Sequence, residues 1–135
     1  MKKGYIALFL DKNSKEQLLL KFPPRHENLF ADHITLFYNP SINEYQQCVS
    51  YFDQKFFFSV MKEYEVPKML QCCEIECELP FSLRKNSKLH ITISTSKNIR
   101  PVQSNQILKK QHSKKEKTPI LENLNSILKF IEFIQ

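Results

Sequence analysis

An α+β chain whose two similar lobes meet at a cleft is the fold this sequence predicts, and two observations carry the prediction. Strand-like runs dominate, with clear helix signals only after the first two of them. Further, His33-Ile34-Thr35-Leu36 and His90-Ile91-Thr92-Ile93 are one tetrapeptide read twice: histidine, apolar, hydroxyl, apolar. A repeat confined to two strands suits paired lobes rather than a stacked array. At 135 residues, the range 1–135 is one domain by length, with enough chain to bury a core. Hydrophobic content of 41% with 11 Phe fits a packed body rather than disorder.

Residues 4–11 read as a buried first strand, apolar and unbroken up to Asp11. Ser14 caps the following helix, with Gln17 three residues on to complete a capping box and Leu18, Leu19 and Phe22 as the buried stripe. Pro23-Pro24 stop it, and 25–32 form a polar loop into the strand 33–38, which Asn39-Pro40 terminate. A short helix fits 41–53. Strands follow over 55–66 and 69–79, the second setting Glu74, Glu76 and Glu78 against Cys73, Ile75, Cys77 and Leu79, with Pro80 closing it. Residues 81–86 are a helical turn or loop, 89–95 the second motif strand, 101–110 irregular or a short helix, and 111–117 a loop. In the tail, Ile120, Leu121, Leu124, Ile127, Leu128, Ile131 and Ile134 fit helical spacing, while 127–135 fits a strand equally well.

Composition excludes several functions. Gly4 is the one glycine, so glycine-rich phosphate loops are ruled out, and Asn and Asp must occupy the turns that need positive φ. No apolar run approaches the ~20 residues that span a bilayer, and the N-terminus has no signal-peptide core. The expectation is an intracellular protein, cytoplasmic or nuclear, with no membrane partner. Cys48, Cys72, Cys73 and Cys77 fit reduced thiols acting as small hydrophobes better than a metal cluster, since no second cysteine group is present to pair with them. The net charge of +6 is lopsided: Lys97, Arg100, Lys109, Lys110, Lys114, Lys115 and Lys117 face the single acid Glu116 across 97–117. Such a segment is the footprint of a phosphate-rich partner, or equally a solvated loop.

In an extended strand, alternate side chains share a face, so each copy of the tetrapeptide presents His and Thr together while its two aliphatics anchor the core. That pairs a proton-transfer group with a hydroxyl donor, twice. Four residues are therefore the candidate catalytic set: His33, Thr35, His90 and Thr92. An unperturbed imidazole titrates near pH 6.5 and serves either as acid or as base.

These two motifs resemble the signature of the two-histidine (2H) phosphoesterase superfamily. Within it the chain is similar to the cyclic phosphodiesterase domain of fungal-type tRNA ligases and related RNA-repair-like proteins. The likeness lies in Tyr5-Ile6-Ala7-Leu8-Phe9-Leu10-Asp11, Ser14, Leu18-Leu19, both motifs, Pro101-Val102 and Ser104-Asn105. Residues 41–80 carry none of it.

The resemblance implies antiparallel sheets flanking a central cleft, with a closing strand from about Ser126. It also implies a metal-independent, cofactor-free phosphodiesterase that opens a terminal 2′,3′-cyclic phosphate of RNA to a 2′-phosphate, acting alongside an RNA ligase or kinase. Under that reading His33 protonates the leaving O3′, His90 activates water, and Thr35 and Thr92 hold the non-bridging oxygens. Ser104, Lys97 and Arg100, behind the second motif, and Tyr5, as a stacking ring, are the expected substrate-binding residues. Two rivals remain at this level: a phosphodiesterase for 2′-5′ oligoadenylate or a cyclic dinucleotide messenger, and a non-catalytic RNA-binding module. The 57 residues from His33 to His90 suggest a trimmed lobe and an open cleft, suited to an RNA terminus.

Overall fold

The computed structural model describes residues 3–101, 103–105 and 118–134. It is α+β. Strand β1 spans Gly4–Leu10, helix α1 Lys12–Lys21, β2 Asn28–Leu29, β3 His33–Tyr38, α2 Ile42–Val49, β4 Lys55–Val66, β5 Leu70–Glu76, β6 His90–Thr95 and β7 Leu121–Glu132, with a helical turn at 103–105. Among the described residues, no helix is long and apolar enough to cross a membrane.

The strands form one antiparallel sheet in the order β2-β6-β5-β4-β7-β1-β3. This corrects the expectation of two separate sheets. The motif strands β3 and β6 stand near opposite ends of that order, yet they touch. The sheet therefore bends back until its ends meet, and the segment 28–32 ties them. Phe30 and Ala31 donate their N–H groups to Ile93 and Thr92 carbonyls on β6, each at 2.8 Å, and the Asp32 carbonyl then accepts from Leu10 on β1 at 3.0 Å. Where a polar loop was expected, the chain thus pairs with both edges. Ala31 makes the crossing with φ at 65° and no solvent exposure.

Local chemistry accounts for the elements. Helix α1 begins earlier than expected, because the Asp11 carboxylate rather than Ser14 is the cap; it accepts from the Ser14 N–H at 2.7 Å. A charged acceptor suits the positive end of a helix better than a hydroxyl. The Ser14 hydroxyl instead accepts from the Asn125 N–H of β7 at 2.7 Å. Helix α2 carries a full capping box between Ser41 and Glu44. The tail is a strand, as the resemblance implied, and starts five residues before Ser126 because Leu121, Leu124 and Leu128 all pair or pack along β4. β5 ends at Glu76, three residues short of expectation.

Among the described residues, Asn39, Asp53, Asn86, Asn98 and Asn123 adopt positive φ, the role the scarcity of glycine assigned to Asn and Asp. Gly4 serves a different purpose. A Cβ there would collide with the Ile131 carbonyl oxygen and the Phe130 ring, so the close approach of β1 to β7 requires its absence. One apolar cluster gathers Ile6, Leu8, Leu18, Ile34, Phe37, Phe58, Val60, Ile91, Ile93, Leu124 and Leu128 beneath the sheet, and the helices cover it. The opposite side of β1, β3 and β6 is left for the cleft.

Candidate active site

Alternation along β3 sends Ile34 into the core and turns His33 and Thr35 away from it. A bulge follows. Ile6 pairs with Phe37 but Ala7 with Thr35, so Leu36 is the extra residue, and the face shifts to return Phe37 to the core and Tyr38 to the cleft. On β6, Ile91 and Ile93 enter the same core while His90 and Thr92 point the other way. His33, Thr35, His90 and Thr92 consequently line a single cavity of about 990 Å³. All four candidate side chains thus share one space.

The wall behind His33 is aromatic. Its ring lies 5.3 Å from that of Phe9 and 5.5 Å from that of Tyr5. From Tyr5 the rings continue to Phe133 at 6.0 Å and from Phe133 to Tyr38 at 5.2 Å. Facing this wall is the loop 84–88. Arg84 anchors it: the guanidinium donates to both Glu44 carboxylate oxygens at 2.8 Å and to the Tyr38 and Asn39 carbonyls at 3.1 and 3.3 Å, and it lies over the Phe37 ring. A turn from Arg84 to Ser87, with Asn86 at positive φ, then presents Lys85 and Lys88 to the cavity.

The electrostatics separate the two histidines. Burial among the aromatic rings pushes the His33 pKa below its usual 6.5, and the neighbouring Asp32 charge works against that fall. Lys15 in turn holds Asp32 with an ion pair at 2.5 Å. Burial also lowers His90, partly offset by its contact with the Lys88 carbonyl, and a charge on His33 lowers it further. One proton on the pair therefore opposes a second. The Nδ1 of His90 faces the Lys88 carbonyl at 3.4 Å, a long contact that favours the tautomer carrying its proton there and leaves Nε2 able to accept one.

The expected binding residues divide. Tyr5 lines the cavity beside His33. Ser104 does not reach it as expected: it is fully buried, with its hydroxyl 2.9 Å from that of Thr92. Its place is behind the threonine, and when Ser104 donates, the Thr92 proton is left for the cleft or for the Pro101 carbonyl at 3.5 Å. Lys97 and Arg100 are exposed and do not line the cavity, although Pro101 and Asn105 of the same segment do. Lys109, Lys110, Lys114, Lys115 and Lys117 fall outside the described residues, as does His112. His26 is half-buried away from the cavity.

Sequence reading missed Lys85 and Lys88, which lie in the stretch 81–88 read only as a helical turn or loop and its approach to the second motif; the close spacing of Arg84, Lys85 and Lys88 was the available signal. It also missed Phe133, which reaches the cleft only through pairing of β7 with β1. Among the described residues, no three or more His, Cys, Asp or Glu side chains converge as a cation site needs. Burial pushes the thiols of Cys48, Cys72 and Cys77 up to about 11 and raises that of Cys73 well above its usual value, which keeps them protonated. Compared with known protein families, curated proteins and solved structures, the chain matches none of them.

Proposed function

We propose that the protein is a metal-independent 2′,3′-cyclic phosphodiesterase acting on RNA ends, with a paired-histidine site of the 2H phosphoesterase kind. The observation that carries this reading is the convergence of two imidazoles and two threonine hydroxyls on one cavity from opposite ends of the sheet. His90 Nε2 takes a proton from water, and the water oxygen bonds to phosphorus. The P–O3′ bond breaks, His33 gives its proton to O3′, and the phosphate stays on O2′. Thr35 and Thr92 donate to the non-bridging oxygens as charge builds there, a type of contact commonly worth about 3 to 4 kcal/mol per donor in the transition state.

The asymmetry of the pair supports this division of roles. Burial lowers the pKa of both histidines; at His33 the Asp32 carboxylate opposes that fall and favours the charged form an acid needs, while at His90 the Lys88 carbonyl orients the ring as a base. The test is incubation with an oligonucleotide ending in a 2′,3′-cyclic phosphate, with 2′-5′ oligoadenylate alongside, and chromatographic identification of the products. A 2′-phosphate end from the first and no cleavage of the second is the expected result. Cleavage of oligoadenylate alone, or of neither substrate, would overturn the proposal.

A further inference from the structure

We infer that the cleft is built for two consecutive nucleotides of single-stranded RNA, with the upstream base on the Tyr38–Phe133 rings and the upstream phosphate at Lys85. This rests on the phosphodiesterase reading, which puts the terminal phosphate between His33 and His90. The rings of His33, Tyr5, Phe133 and Tyr38 form a continuous run along one wall, each step between 5.2 and 6.0 Å. Tyr38 is five residues beyond His33 on β3, so the strand carries it about 15 Å from His33. A base attached to the terminal ribose belongs near Tyr5; the one at Tyr38 belongs to the nucleotide before it.

The loop opposite runs in the same direction. Its Arg84 end is bonded to the Tyr38 carbonyl, and its Lys88 end to His90 through the Lys88 carbonyl. Lys85 is therefore at the Tyr38 end of the cleft and Lys88 at the histidine end, so Lys85 is the ammonium placed for the upstream phosphate. Tyr38 is 61% exposed although it lines the cavity, which leaves its face open for stacking. A cavity of about 990 Å³ is at the upper end of the range of roughly 300 to 1,000 Å³ for small-molecule sites, more than a cyclic mononucleotide fills. Base–aromatic stacking corresponds to about five- to 150-fold in affinity.

The experiment compares kcat/KM of the full chain on a 2′,3′-cyclic mononucleotide and on di- and tetranucleotides with the same end. Anisotropy of a labelled tetranucleotide carrying a 2′-phosphate end is measured in parallel and needs no turnover. The parent should prefer the dinucleotide over the mononucleotide about tenfold or more, with little added by the tetranucleotide. Tyr38→Ala and Lys85→Ala should each cut that preference at least about fivefold and weaken the anisotropy complex similarly, while Tyr38→Phe restores both. Both side chains are exposed, so melting midpoints should match the parent. A preference that is absent, that survives both alanine variants, or that grows equally from dinucleotide to tetranucleotide would overturn the inference. If no substrate turns over, the phosphodiesterase reading falls, and the anisotropy decides the binding footprint: weakened complexes in both variants support it and unchanged ones refute it.

Discussion

Thr92 and Ser104 show how a buried hydroxyl acts on an exposed one. Because Ser104 is covered and 2.9 Å from Thr92, its contribution is the direction of the Thr92 proton. Ser104→Ala should therefore lower kcat about tenfold with KM nearly unchanged, a smaller loss than removing the donor itself. Steady-state kinetics on a cyclic-phosphate end check this; an equal rise in KM would instead mean direct contact with substrate. The histidines link the site to stability. Both are held below their usual 6.5 in the fold, so on acidification the unfolded chain takes up protons first. The folded state accordingly loses stability as pH falls below about 6.5, and the contribution is flat above it. The melting midpoint should drop less between pH 7 and pH 5 in His33→Asn and His90→Asn variants than in the parent.

At the scale of elements, the two motif strands were legible because alternation of His and Thr against Ile, Leu and Ile fixes which face is buried, and that survives in β3 and β6. What alternation does not encode is a bulge: Leu36 shifts the register, so Tyr38 rather than Phe37 joins the cleft. Caps were the weakest part of the reading. Asp11 outcompetes Ser14 at α1, and the Ser41–Glu44 box of α2, though present in the sequence, was not among the expectations. The crossing segment 28–32 was hidden because its pairing is set by both sheet edges and not by its own polar sequence. Ala31 is its pivot. Ala31→Val places a β-branched side chain at positive φ in a fully buried site and should destabilise the fold by about 2 to 4 kcal/mol in denaturant unfolding. The loop 84–88 depends on one latch. Arg84 holds Glu44 down at about 2, and Glu44→Ala should loosen Lys85 and Lys88, raising KM several-fold while kcat stays within about twofold.

Across the whole molecule, the repeat expected to mark two lobes marks instead the two ends of one sheet, folded back so that each end contributes an imidazole and a hydroxyl. A continuous sheet makes the cleft a product of global curvature. That is why the four motif residues and the stacking ring Tyr5 could be named from sequence, while Lys85 and Phe133 could not: Lys85 sits in the loop ahead of the second motif, and Phe133 joins the wall only through the pairing of β7 with β1. The same folding back puts both histidines on one cavity, where the proposed reaction uses them in one transition state. The most direct measurement is the rate at which His33→Ala, His90→Ala and the double variant hydrolyse an oligonucleotide with a 2′,3′-cyclic phosphate end, with melting curves to confirm that each is folded. Each single variant should lose a factor on the order of 10² to 10⁴, and the double should be little slower than the poorer single, since both groups serve one step. Folded single variants that both turn over substrate at the parental rate would contradict the proposed mechanism.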